Sequence, residues 1–365
     1  MPRPFFSVIS LLAVLAGASN VGAQQADAQR LPREVFDVTP PSERVTGDPG
    51  QMSMHPLACR NMPLAQIRRR IVDIAIQEWG FFGFSIVDQT DFDNDIPLEG
   101  MLALYRGLGA FPASFTPLRR GGRFPALPAE ETARVASSVA GYWAATPRGG
   151  AMIARQNQEW NGPRGMAGRW ADPWSAAFVS WVMCEAGLGE GGRFQRAIAH
   201  WTYIDQAINA RDGRTSEAAF VAHELGEEKI VPGDLLCSGR RPAYRSIAQR
   251  RRQLGVGART HCDIVVNVDE ANERIFTIGG NVRRSVSMKL FSAVHDASGN
   301  LRPANPPDSG DMRPLFAHLK LRADPIALNA LESSPTIEAL DCELQIVERH
   351  PAYDFFPAGM AEGAC

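Results

Sequence analysis

Four short β-rich blocks stand together in the C-terminal half of the chain: "PGDLLCS" (232–238), "HCDIVVNV" (261–268), "ERIFTIGGN" (273–281) and "RSVSMKL" (284–290). Turn residues separate them, as between antiparallel strands. What precedes them reads as helix or loop. "LAQIRRRIVDIAIQEW" (64–79) places Ile67, Ile71, Ile74 and Ala75 on one side of a helix. "PAEETARVASSVAGYWAAT" (128–146) is a second helix, and a third spans about 150–159. Residues 194–211 and 214–225 also read as helical. Helices first and antiparallel strands second is the order of an α+β fold. "LFAHLKLRA" (315–323) adds one further strand, and no internal repeat is visible.

The ends differ in texture. "MPRPFFSVISLLAVLAGASNVGA" has a basic start at Arg3, an apolar run and a small-residue end, the pattern of a secretory signal peptide over 1–23. The run is short for a membrane span, and no later stretch approaches ~20 apolar residues. The expectation is an exported protein, periplasmic or secreted. Residues 24–63, rich in Gln, Pro, Arg and Asp, read as a linker. The domain then runs over 64–290, with a loop insertion at 90–128, and 291–365 forms a C-terminal extension.

A net charge of −2 gives no global pull toward nucleic acid or an anionic membrane. All six cysteines, 59, 184, 237, 262, 342 and 365, follow the signal peptide, in a compartment that permits disulfides. Cys237 and Cys262 fall on strands expected to be neighbours, so they are a disulfide candidate or two buried thiols. Cys342 and Cys365 are a second candidate, closing the tail. Cys59 and Cys184 have no evident partner except each other. A metal pair with His261 and a relocated thiol nucleophile at Cys262 or Cys237 are weaker alternatives, the metal pair because no C-x₂-C spacing is present. "AHELGEE" (222–228) holds half of a zinc-helix pattern but lacks the second His.

"WADPWSAAFVSWVM" (170–183) stops a loop abruptly at a helix. Asp172 suits the N-cap and Pro173 the first helical position. Trp174, Ala177, Phe178, Trp181 and Val182 then repeat as a buried helical face, ending near Gly187. Ser175 sits in the first turn, near the positive end of the helix dipole. His261 opens a strand, and Asn281 closes the next one after Gly-Gly. A nucleophile on a helix, a His on a strand and a polar residue orienting that His form a triad logic. Each also has a plain reading: a first-turn Ser, a strand-end His and a turn Asn.

"WSAAFVSWV", "VPGDLL", "HCDIVV" and "IGGN" resemble the core blocks of bacterial cell-wall hydrolases of the CHAP and NlpC type. More closely, they resemble an uncharacterised exported bacterial domain family related to that superfamily. The resemblance covers roughly 130–290. It implies a papain-like α+β fold, with helices packed on a small antiparallel sheet or partial barrel. It also implies a hydrolase acting on cell-wall peptide bonds without a cofactor. The nucleophile falls on Ser175, the His on Asn281's partner residue His261, and the polar third member on Asn281.

Ser175 stands where the resembled family has Cys. A helix N-terminus contributes at most about 2 kcal/mol. That favours thiolate beside His⁺ near neutrality, but leaves a hydroxyl protonated. Ser175 therefore needs His261 to remove its proton as bonding proceeds. Trp160, Trp170 and Trp174 are candidate sugar-stacking residues, with core packing as the plain reading, and Arg240, in the arginine-rich loop 239–260, is a candidate clamp for acidic groups, with a solvated loop as the plain reading. The expected partner is peptidoglycan or another envelope polymer. Two alternatives stay open: a non-catalytic peptidoglycan- or glycan-binding module, and a disulfide-held structural or partner-binding envelope protein.

Overall fold

The computed structural model describes residues 30–89, 129–304 and 314–339. The expected signal peptide, the insertion at 90–128, Cys342 and Cys365 lie outside the described residues. Six helices are described: α1 (Leu64–Phe81), α2 (Ala129–Ala144), α3 (Gly149–Trp160), α4 (Ser175–Ala186), α5 (Trp201–Arg211) and the short α6 (Ile247–Arg251). Strands β1 (Val45–Thr46) and β2 (Ser53–Met54) form a small hairpin. The main sheet uses β3 (Ile86–Gln89), β4 (Phe220–His223), β5 (Leu235–Arg241), β6 (Arg259–Asp269), β7 (Arg274–Val282), β8 (Ser285–His295), β9 (Leu301–Pro303) and β10 (Leu315–Leu321).

The fold is α+β, with an open sheet in the order β3-β8-β7-β6-β5-β10-β4, and β9 pairs with β8. Its pairs are antiparallel except β3, which runs parallel to β8 at the edge. Helix α4 is predominantly apolar, and all of its residues are buried, Glu185 among them. A helix of that kind needs partners on every side. It finds α1 and α2 on one side and β6 and β7 on the other. Ile67, Ile71, Trp181, Ile264 and Ile278 belong to this main core. Leu236, Val265, Ile275 and Ala293 form a smaller core. Strand alternation divides the two sets: Ile264 enters the first and Val265 the second.

Several local expectations change. Residues 30–63 are docked on the domain rather than loose. Phe36, Val38, Val45 and Met52 are buried. Arg44 is 2.5 Å from Glu185, Arg30 is 2.5 Å from Glu78, and Cys59 is disulfide-bonded to Cys184. That bridge closes a loop with a sequence separation of 125, and such cross-links typically add about 2–4 kcal/mol. Cys237–Cys262 is the second disulfide, joining residues directly opposite on β5 and β6. Neither cysteine is therefore a free thiol for nucleophilic attack or metal ligation.

Residues 214–225 contain a strand where a helix was expected. Phe220 and Ala222 are buried while Val221 and His223 are half-exposed, a period-two pattern taken up by pairing with β10. His223 of the "AHELGEE" stretch is thus on a strand. The preceding helix starts only at Trp201. The arginine-rich segment is partly interior: Arg250 is fully buried and grips Asp205 at 2.7 Å through Nε and Nη2.

The boundary expected at 290 does not separate an appendage. Strand β10 lies between β5 and β4, paired to both. Phe316, Ala317 and Leu319 complete the main core. We predict that a chain ending after residue 304 will lack near-UV circular dichroism and a cooperative urea transition. A cooperative transition in that chain would contradict an integral role for β10.

Candidate functional site

Helix α4 begins at Ser175, with Trp174 at the N-cap, and no side chain caps this end. Asp172 does not fill that position. It is drawn to Arg155, whose Nη1 lies 3.1 Å from its Oδ1. An uncapped first turn presents N–H donors at the positive end of the helix dipole.

Ser175 is 9% exposed, and its Oγ lies 2.7 Å from Nε2 of His200. His200 directly precedes α5, and Tyr203 follows three residues later in its first turn. On the far side of the ring, the Cys262 N–H donates to His200 Nδ1 at 3.2 Å. The Tyr203 hydroxyl also bonds Nδ1. Burial, with the Asp263 charge adding to it, holds the Tyr203 phenol well above its usual range, so it stays protonated. A nitrogen that accepts from a backbone N–H carries no proton itself. The neutral His200 ring is therefore protonated on Nε2, and it donates to Ser175 Oγ. In this tautomer His200 positions the hydroxyl and is not its base.

His261 adjoins His200, with ring centroids 5.0 Å apart. Its Nε2 lies 2.7 Å from Asp263 Oδ1, and Lys289 Nζ lies 2.7 Å from Asp263 Oδ2. Burial alone raises a carboxyl group, but the facing His261 and Lys289 charges outweigh it and hold Asp263 well below the usual carboxylate range. Asp263 is thus an anion that orients His261, the role expected of Asn281. Any proton exchange between His261 and a reacting group runs through Nδ1.

Two glycines make this assembly possible. A Cβ on Gly279 would stand 1.9 Å from Asp263 Oδ1, and a Cβ on Gly280 would stand 2.4 Å from Phe178 Cβ. The first glycine leaves room for the carboxylate, and the second lets α4 lie close against β7. "IGGN" therefore has a packing reason for both of its glycines.

Asn281 lies beyond them in left-handed backbone, φ 54°. The β7–β8 turn follows, with Val282 paired to Ser285. Its two central residues, Arg283 and Arg284, have φ of 53° and 69°. Two-residue turns of this hand favour Asn and Gly. Other L-residues there cost about 1–2 kcal/mol each. Asn281 and Arg284 line a cleft of about 210 Å³ together with Arg169, Trp170, Asp172 and Trp174.

The remaining expected residues are placed as follows. Trp174 borders the cleft but is only 1% exposed. Trp160 differs from the expectation of an open stacking face: it is 5% exposed and packs edge-on against Trp170, with its Nε1 donating to Gly168 O. That leaves little ring surface for stacking on a sugar. Arg240 is an exposed residue of β5 and is not among the described residues lining the cleft. His200, Tyr203, Asp263 and Lys289 were not anticipated. The i,i+3 pair at a helix start and the i,i+2 pair on a strand are visible in sequence. Lys289 comes from a different strand and has no local signal.

Residues 131–321, slightly more than half of the chain, match the model of a family described as "Uncharacterized protein conserved in bacteria (DUF2272)". The match runs through β10, past the boundary expected at 290. No curated protein and no solved structure matches the chain.

Two outcomes follow from this geometry. In ¹H–¹⁵N spectra at neutral pH, the His200 side chain should show a protonated Nε2 and an unprotonated Nδ1. A protonated Nδ1 would contradict the assignment. Because Asp263 is depressed in the folded state, its contribution to stability is full above the ordinary carboxylate range. It is lost as pH falls through the depressed value. The stability gap between wild type and Asp263→Asn, from urea melts, should accordingly be widest near neutrality and shrink below about pH 4.

Proposed function

The chain belongs to the DUF2272 family of bacterial proteins, and we propose that it is an exported, papain-like hydrolase cutting an amide or ester bond in cell-wall peptides. The observation that carries the reading is the buried hydroxyl of Ser175 at an uncapped helix N-terminus, bonded to His200 beside the His261–Asp263 pair. The resemblance of "WSAAFVSWV", "VPGDLL", "HCDIVV" and "IGGN" to CHAP and NlpC blocks supplies the bond class. Two disulfides fit an oxidising, extracytoplasmic compartment. Among the described residues, no helix is long and apolar enough to cross a membrane.

In this mechanism Ser175 Oγ attacks the substrate carbonyl and its proton passes to His261 Nδ1. The carbonyl π pair moves to oxygen, and the first-turn N–H groups of α4 hold the oxyanion. His200 Nε2–H fixes Oγ and stabilises charge developing on it. Asp263 stabilises the His261 imidazolium. Collapse of the intermediate breaks the bond to the leaving group, which takes the proton from His261. Water, deprotonated by His261, then releases the acyl group from Ser175. Asn281, on the cleft wall, faces substrate rather than orienting His261.

A second reading is a binding-only relative, with peptidoglycan or another glycan as ligand. It is favoured by one observation: His200 donates to Ser175 Oγ and so does not take its proton.

A fluorophosphonate probe should label wild-type Ser175, and Ser175→Ala should abolish both labelling and release of peptide fragments from sacculi. Asp263→Asn should lower kcat by roughly 10²–10⁴-fold with the fold retained. Absence of labelling and products in wild type, with sacculus binding unchanged in every variant, would establish the binding module. Activity gained only in Ser175→Cys would identify a degenerate enzyme.

A further inference from the structure

We propose that Lys289 is a positioning residue acting through Asp263: it shares that carboxylate with His261, and so keeps the imidazole neutral and able to take a proton down to lower pH. This role presupposes the hydrolase reading, in which His261 is the base, and sets the pH range in which that base can work.

Lys289 lies on β8 and Asp263 on β6, with β7 between them in the sheet. Lys289 is in register with Thr277 of β7, and Asp263 Oδ1 lies only 1.9 Å from where a Cβ on Gly279 would stand. The lysine thus reaches across β7 near a residue with no side chain, and its Nζ donates to Asp263 Oδ2 at 2.7 Å. The other oxygen, Oδ1, is 2.7 Å from His261 Nε2. The Asp263 side chain is 2% exposed and that of Lys289 13%, so water and salt screen these contacts weakly.

A carboxylate between two cationic groups cannot give its full charge to either. With Lys289 in place, a proton arriving on His261 meets a partly neutralised anion and, beyond it, a like charge. Both disfavour the imidazolium. Without the ammonium, the whole anion faces the ring. Titratable groups also face the pair from α5 and the residue before it. The His200 ring centroid is 5.0 Å from that of His261. The Tyr203 phenol keeps its proton, through burial first and the Asp263 charge second. Strand β5 sets the neutral Ser238 opposite His261, β7 offers Gly279, and α4 brings Ser175 to His200. Substitution of Lys289 changes none of these groups.

The His261 ring is titrated by ¹H–¹³C NMR in Ser175→Ala protein, so the readout does not need turnover. Adding Lys289→Met should move the His261 midpoint up by about one pH unit. Lys289→Gln, neutral but polar, is the second variant and should move it the same way. Lys289→Arg keeps the charge and should restore the original midpoint. With Ser175 intact, the acid limb of fluorophosphonate labelling should rise by the same interval in the neutral variants. Below that limb the labelling rate should fall ~10-fold, with the plateau rate retained. A merely structural role would instead lower labelling at every pH and leave the midpoint where it was. An unmoved or lowered midpoint in the neutral variants overturns the proposal, as does a shift in Lys289→Arg as large as in Lys289→Met. Absence of labelling in wild type overturns the hydrolase reading, whereas the NMR midpoint decides separately whether Lys289 tunes His261.

Discussion

The close approach of α4 to β7 governs how the site is put together. Gly280 gives the helix its seat on the sheet through Phe178, and Gly279 gives the Asp263 carboxylate its space on the adjacent strand. A methyl group at either position would occupy volume already filled. Protein interiors are packed too densely to absorb such a displacement locally. The helix that presents Ser175 and the strand that presents His261 are therefore held in one register by two missing side chains. The remaining polar groups are fitted onto that frame.

Buried charges then tie distant parts of the chain to it. Glu185, on α4, receives Arg44 and Arg60 from the N-terminal segment. Asp234 receives Arg68 from α1 and His318 from β10, at 2.7 and 2.9 Å. Asp205 receives Arg250. Removing charges from water is costly, so such pairs add little net stability over apolar packing. Breaking one is a different matter, because an uncompensated charge stays behind. The pairs consequently discriminate against misdocked arrangements of segments that are polar in composition.

The same pairs explain which features the sequence made legible. The helices α1, α2 and α4 and the four β blocks rest on periodicity within single segments, and they were readable. The placement of Ser175 at a helix start and of His261 and Asn281 near strand ends was readable because each sits at a boundary between texture types, whereas the contact expected between Asn281 and His261 is made by Asp263 instead. Residues 30–63 were not, since composition shows Arg44 and Arg60 as solvated charges until Glu185 is brought to them. Asp172 looked like a cap because the capping preference is local, whereas its actual partner, Arg155, comes from α3. Phe220–His223 is a strand only because β10 pairs with it. His200 entered the site through a backbone N–H from Cys262, a contact between positions remote in the chain. Its role is a matter of tautomer, which no residue pattern expresses.

The position of β10 has a consequence for biogenesis. Strand β4 is synthesised well before it, yet among the described residues its sheet partner is β10, the last strand to emerge. Pairings between distant positions form slowly, because a long loop must close first. A chain made N-terminus first therefore cannot join β4 to the sheet before β10 is made. The ladder from β5 to β8 closes from neighbouring segments, and β4 joins it only once residues 315–321 are in place.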